Sequence, residues 1–221
     1  MLTTFADSHA IETYEQPLAA NPVSGLRRSH GPSGSGASGS IANLFGDLLN
    51  RFVPGSVAVL GCAGGNGFDR IDPAVTSRMV GIDINPAYLA SAAERFKERL
   101  SGLQLLLADI ETEEVTFEPV ALMYAALVFE YVNVESVLAQ LPSLLQPGGL
   151  LCTVVQLPSA SVPAITPSSF ASLAQLSTKI RLVAPQELSA IAAKNGLLEI
   201  EAQILTLPSR KRFQLQVFQR E

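Results

Sequence analysis

Histidine is nearly missing from this chain of 221 residues: the two that occur, His9 and His30, both lie in the N-terminal tail. Cysteine is as scarce, with Cys62 and Cys152 alone. A metal centre needs several such ligands converging, so no metal site is expected. Both cysteines fall inside apolar, strand-like runs, which favours two buried free thiols in a reducing compartment over a disulfide. Charge is thin as well. Asp, Glu, Lys and Arg make up 16% of residues, the formal net charge is −5, and no basic cluster is longer than Arg210-Lys211-Arg212. A nucleic-acid partner asks for a basic face, so RNA and DNA are disfavoured as substrates. A charged-then-apolar leader is lacking, as is an apolar run of bilayer length. The sequence therefore predicts a cytoplasmic protein with no membrane partner.

Apolar residues, at 48%, are plentiful enough for one sizeable α/β domain with a full core. The first 40 residues read differently. Phe5, His9, Ile11 and Tyr14 form a loose apolar stripe, and Asn21 to Ser40 turns polar, ending in GPSGSGASGS. Such a composition buries too little surface to order itself and reads as a flexible connector. The expected division is a lid segment and linker over 1–40 and a domain over 41–221. That domain opens with a helix from Ile41 to Phe52, stopped by Pro54-Gly55.

The stretch Ser56 to Phe68, SVAVLGCAGGNGF, organises the rest. Val57 to Leu60 is a short, continuously apolar run, the mark of a strand buried on both faces. Gly61, Gly64, Gly65 and Gly67 follow. A strand breaking into a glycine turn ahead of a helix brings backbone N–H groups close to a ligand at the helix's positive end. The dinucleotide fingerprint needs glycines at i, i+2 and i+5, and no register here supplies them.

The spacing Gly61-x-Ala63-x-Gly65 resembles instead the G-x-G-x-G loop of the class I S-adenosylmethionine-dependent methyltransferases. Two positions depart from that pattern. Ala63 replaces the middle glycine, and Val59 stands where the family often carries an acid that anchors the amino-acid end of the cofactor.

Beyond the loop, a short helix is predicted at Phe68–Ile71 and further strands at 78–83, 103–108, 120–128 and 150–157. Longer helices are predicted at 86–100, 134–145 and 185–195. Pro158 to Ile180, rich in Ser, Ala and Pro, suits a mobile helix or loop over a pocket. Two closing strands, 197–207 and 211–219, are joined at Pro208-Ser209-Arg210. Alternating strands and helices imply an α/β, doubly wound, mostly parallel sheet with helices on both faces. The resemblance implies seven strands in the order 3-2-1-4-5-7-6 with the last antiparallel.

It also implies site residues, all at strand C-termini where open α/β sheets bind ligands. Gly61, Cys62, Ala63 and Gly65 would form the cofactor loop. Asp83, in GIDINPAYL with Ile84, would accept hydrogen bonds from both ribose hydroxyls, though a strand-end acid serves equally as a helix cap. Asp109 and Ile110 would meet the adenine through a carboxylate and a backbone amide; Asp109 also suits a cap before the acidic run Glu111 to Glu114. Tyr124 and Ala125 would line the cofactor on the fourth strand. Glu130 is the acid of that segment, a substrate contact or proton acceptor, or else a residue capping the next helix. Tyr14, in FADSHAIETYE, resembles the tyrosine of a lid that closes over the cofactor.

The implied function is methyl transfer from S-adenosylmethionine to a small, fairly hydrophobic molecule. A catalytically silent cofactor- or partner-binding relative and, less favoured, an NAD(P)-dependent oxidoreductase are the rival readings.

Overall fold

The computed structural model of the protein describes residues 41–158, 181–206 and 210–221. The expectations that fall on the lid with Tyr14, on the linker, on most of the Ser/Pro-rich stretch and on Pro208-Ser209 lie outside the described residues.

At the centre is β1 (Ser56–Leu60), whose five residues are all buried. It pairs in parallel with β2 (Arg78–Asp83) on one side and β4 (Val120–Ala126) on the other. β3 (Leu103–Leu107) lies outside β2, and β5 (Leu145–Gln156) outside β4. β7 (Arg212–Arg220) runs antiparallel between β5 and the edge strand β6 (Leu197–Thr206). The order is β3-β2-β1-β4-β5-β7-β6, as the resemblance implied.

Both faces of the sheet are covered, which is why most buried positions of its inner strands are apolar. One face packs against α1 (Ile41–Phe52), through Leu44, Phe45, Leu48 and Leu49, and α2 (Pro86–Phe96), through Leu89, Ala92 and Phe96. The other packs against α3 (Val134–Gln140), through Val134, Val137 and Leu138, and α4 (Pro185–Lys194), through Leu188, Ile191 and Ala192. α2 starts where Asn85 Oδ1 accepts from the Ala87 amide at 2.9 Å, with Pro86 in the first turn.

α2 ends at Phe96, short of the expected Leu100, and four other elements differ from expectation, each for a local reason. No α-helix follows the glycine loop: a single 3-10 turn, Phe68–Arg70, stands there. It stops at Ile71, which is already extended (φ −77°, ψ 125°), two residues before Pro73. The positive helix end expected behind the loop is therefore not part of this site. α3 stops at Gln140 and passes into a 3-10 turn at Leu141–Leu144, because Pro142 has no amide to give the preceding turn. β4 ends at Ala126, since Leu127 turns left-handed with φ 57°. β5 begins at Leu145 rather than Leu150; Val120 pairs with Leu145 and Leu122 with Leu150, so Pro147-Gly148-Gly149 forms a bulge within the strand.

Gly65 and Gly196 separate two costs of adding a side chain. Both have positive φ, 84° and 74°. A Cβ on Gly65 would lie 2.6 Å from Phe96 Cε2, whereas one on Gly196 meets nothing within 4 Å. Gly196→Ala is expected to cost about 1–2 kcal/mol for the left-handed backbone. Gly65→Ala should cost roughly 1–3 kcal/mol more through overpacking against Phe96. Urea unfolding of both variants checks this; equal losses would show that Phe96 yields freely.

Candidate active site

β1 ends beside β2 on one side and β4 on the other, and there the chain turns into Gly61. Gly61 is exposed, with φ 62°. A Cβ on it would come within 2.8 Å of Val128 Cγ2, so a side chain would close the gap between the β1 loop and the β4 exit. Ala63 is also left-handed, with φ 47°, at the position where the pattern carries glycine. That conformation costs an alanine about 1–2 kcal/mol. It is held by the Ala63 amide, which donates to Asp83 Oδ2 at 2.8 Å. The Gly65 and Asn66 amides both donate to the Cys62 carbonyl, at 3.0 and 3.2 Å. From α2, Arg95 Nη1 donates to the Gly64 carbonyl at 2.6 Å.

Asp83, at the end of β2, is 9% exposed. Its other oxygen, Oδ1, accepts from the Asn85 amide at 2.8 Å. The helix cap is thus Asn85, and Asp83 bridges the β1 loop to the turn before α2. A carboxylate offers about four lone-pair sites, so lone pairs beyond these two bonds remain for a vicinal diol. Beside it Ile84 is 66% exposed, and Leu107, paired with Asp83 in register, is 58% exposed. These are two open apolar side chains at neighbouring strand ends. Asp109 is half-buried; its Oδ1 accepts from the Glu111 amide at 2.9 Å, closing the turn after β3. Ile110 is buried, and its carbonyl accepts from Gln140 Nε2 at 2.7 Å.

Four expected site residues sit elsewhere. Cys62 is buried in the core, its thiol donating to the Ala63 carbonyl at 3.7 Å and pushed up to about 12 by burial, then by Asp83. Its contribution to the loop is through its backbone. Tyr124 points under α1, where its ring stacks on Phe45 with centroids 4.6 Å apart and its hydroxyl donates to the Ile41 carbonyl at 3.2 Å. It is a core residue rather than a cofactor contact. Ala125 is fully buried in the face covered by α3 and α4. Glu130 is 4% exposed, with Oε1 accepting from the Gln156 amide at 2.7 Å and Oε2 buried without a partner among the described residues. An open contact with a substrate is not available to it here.

At the β4 exit Ala126 and Leu127 are half-buried against the core under α1 and α2, Val128 is buried in the other core with its Cγ2 beside Gly61, and Tyr131 is exposed beyond them. As residues of one continuous apolar run they carry no periodicity that tells which of them is exposed. Among the described residues no group of three or more His, Cys, Asp or Glu could hold a metal ion. No helix among them is long and apolar enough to cross a membrane.

Residues 57–149 match the family model described as a methyltransferase domain. No curated protein matches the sequence. Among solved structures, the chain is similar to the N-methyltransferase NodS from Bradyrhizobium japonicum WM9, in complex with S-adenosyl-L-homocysteine. The TM-score is 0.60 at 18% identity, over 80% of this chain and 86% of that one. It is similar also to geranyl diphosphate C-methyltransferase from Streptomyces coelicolor A3(2), crystallised with Mg2+, geranyl diphosphate and S-adenosyl-L-homocysteine. There the TM-score is 0.63 at 14% identity, over 81% and 77% of the two chains. The [4+2]-cyclase SpnF has the same fold, with TM-score 0.63 at 13% identity over 80% of each chain. These likenesses show the fold, and the family match adds the domain. The family match is to a methyltransferase domain over residues 57–149, and two of these neighbours hold S-adenosyl-L-homocysteine, the demethylated form of the cofactor S-adenosylmethionine. The residues present fit that cofactor, because a Cβ on Gly61 would close the cleft and Asp83 keeps acceptor capacity at its edge.

Since Asp83 holds the loop, its loss should be felt without any ligand. Asp83→Ala is expected to lower apo stability by about 3–6 kcal/mol, from two bonds to a charged group at about 1.5–3 kcal/mol each. It should also weaken S-adenosylhomocysteine binding at least about tenfold. Asp83→Asn, keeping one acceptor, should fall between. Urea unfolding and calorimetry on the same samples check both; unchanged apo stability would show that the bond to Ala63 does not hold the loop.

Proposed function

We propose that the protein transfers a methyl group from S-adenosylmethionine to a small, fairly hydrophobic acceptor bound beside the β4 exit. One observation carries this reading: apolar Val128 stands beside Gly61 at the β4 exit with Tyr131 exposed near it, while the acid of that turn, Glu130, is buried and bonded to Gln156. When bound, the sulfonium supplies an already activated methyl group. The acceptor's lone pair forms the new bond as the carbon–sulfur bond breaks, and the electron pair returns to sulfur. The protein's part is alignment and exclusion of water, which apolar walls provide.

On this reading Gly61, Ala63 and Gly65 shape the loop over the cofactor, and Asp83 accepts from the ribose hydroxyls. Ile84 and Leu107 flank the adenine, with Asp109 near its exocyclic amine. A proton released by the acceptor would pass to solvent, since Glu130 is not open to take it. Among the fold neighbours, the structure that holds geranyl diphosphate supports an apolar acceptor. The two buried free thiols support a reducing, cytoplasmic setting. The [4+2]-cyclase among the neighbours is the observation that favours a second reading, a cofactor-binding relative with a different reaction or none.

Calorimetry should show S-adenosylmethionine and S-adenosylhomocysteine binding while NAD and NADP do not. Incubation with S-adenosylmethionine and a library of small metabolites should then release S-adenosylhomocysteine, most with apolar nucleophiles. Binding without release across such a library would favour the second reading. Tight NADP binding with none for the sulfonium would overturn the first.

A further inference from the structure

Beyond Ala126 the β4 chain leaves the ladder in two steps. The Leu127 amide still donates to the Val154 carbonyl of β5, at 2.8 Å. The left-handed Leu127 then starts a tight turn in which the Tyr131 amide donates to the Val128 carbonyl at 2.9 Å. β5 continues to Gln156, which pairs with Phe213 of β7 on its far side. On the near side β4 has no backbone left to offer. The Glu130 carboxyl takes that place, accepting from the Gln156 amide at 2.7 Å. The Glu130 carbonyl accepts from the Arg181 amide at 2.9 Å, so the same residue also holds the chain that leads into α4.

Holding three segments this way has a cost. Glu130 Oε2 is buried with no hydrogen-bond partner among the described residues. An unpaired buried acceptor costs about 1–3 kcal/mol, which an apolar side chain would avoid. What the carboxyl adds is position. Two residues before it, Val128 lies against Gly61, its Cγ2 only 2.8 Å from where a Cβ would stand. The turn that Glu130 ties to β5 is thus the turn that places Val128 over the glycine loop.

We propose that Glu130 is a positioning residue that sets the width of the cleft between the β1 loop and the β4 exit, by tying the Leu127–Tyr131 turn to the end of β5. The inference rests on the methyltransferase reading only for what the cleft holds.

The groups around Glu130 make its protonation matter. Burial raises its pKa, opposed by the Gln156 amide and its own. The Tyr131 hydroxyl, itself raised by burial and then by Glu130, is the titratable neighbour on its own segment. Gln156 on β5 is uncharged, and the Arg181 guanidinium pairs with Glu187 of α4. A raised carboxyl pKa means that the neutral form suits the folded site, and ionisation as pH rises works against it.

The test uses the full chain as wild type, Glu130→Gln and Glu130→Ala, read by amide hydrogen exchange and by calorimetry with S-adenosylhomocysteine. Glu130→Gln keeps an acceptor for Gln156. It should retain protection over residues 125–131 and 58–66, and affinity within about threefold. Glu130→Ala should lose protection in both segments and bind about tenfold or more weakly, with helices α3 and α4 unchanged. Wild-type affinity should also decline with rising pH, whereas that of Glu130→Gln should not. Equal behaviour of the two variants would overturn the proposal. So would a uniform rise in exchange with unchanged affinity per folded molecule, the mark of a merely structural residue. If the wild type does not bind S-adenosylhomocysteine, the methyltransferase reading fails and the exchange arm alone decides on Glu130. If Glu130→Ala does not fold, the pH dependence of exchange over 125–131 decides, present in wild type and lost in Glu130→Gln if the proposal holds.

Discussion

The Asp83 carboxylate joins two pieces of chain, alongside the Cys62 amide on the Ile82 carbonyl and Arg95 on the Gly64 carbonyl. One oxygen takes the Ala63 amide and the other the Asn85 amide, so the β1 loop and the turn before α2 share one buried acceptor. The shape of the cleft follows from it. Ala63 pays for a left-handed backbone, and the Gly65 and Asn66 amides are spent on the Cys62 carbonyl. With a single 3-10 turn behind the loop in place of a helix, its position depends on Asp83 and on Arg95 reaching over from α2.

The sheet explains why this cleft lies where it does. β1 is buried along its length and flanked by β2 and β4, from which the strand order runs outward in opposite directions. Connections leaving β1 and β4 therefore diverge to opposite faces, and a crevice opens at their C-terminal ends. Gly61 and Val128 occupy the two lips of that crevice. Packing on both faces makes the sheet rigid there, α1 and α2 on one side and α3 and α4 on the other. A rigid frame suits a reaction whose demand on the protein is alignment.

The two halves of the crevice differ in character. Along β1, β2 and β3 it offers loop backbone, the Asp83 and Asp109 carboxylates, and the open side chains Ile84 and Leu107. That mixture matches a ligand with a polar sugar and a flat ring. At β4 it offers Val128 beside Gly61, with the one acid folded back onto β5. With Glu130 bonded to the Gln156 amide, the exit of β4 keeps an apolar character.

Much of this was legible in the amino-acid sequence. The apolar runs, the glycine cluster after the first of them and the closing pair of strands were enough for the fold class, because periodicity and turn residues are local properties of the chain. Asp83 could be placed at a strand end for the same reason. Which atoms it touches could not, since Ala63 meets it only when β1 and β2 lie side by side. Tyr124 and Glu130 show the limit more sharply. In sequence each is a polar residue in an apolar segment near the expected site, yet Tyr124 turns beneath α1 and Glu130 turns to β5. The alternation of a strand tells which residues share a face, but which face meets a helix and which a cleft is decided by the neighbours packed against it. The left-handed turn at Leu127 ends that alternation, and that turn is bonded to Val154, a residue distant in the chain. Local pattern thus determined the elements and their order, and long-range packing decided which side chains reach the site.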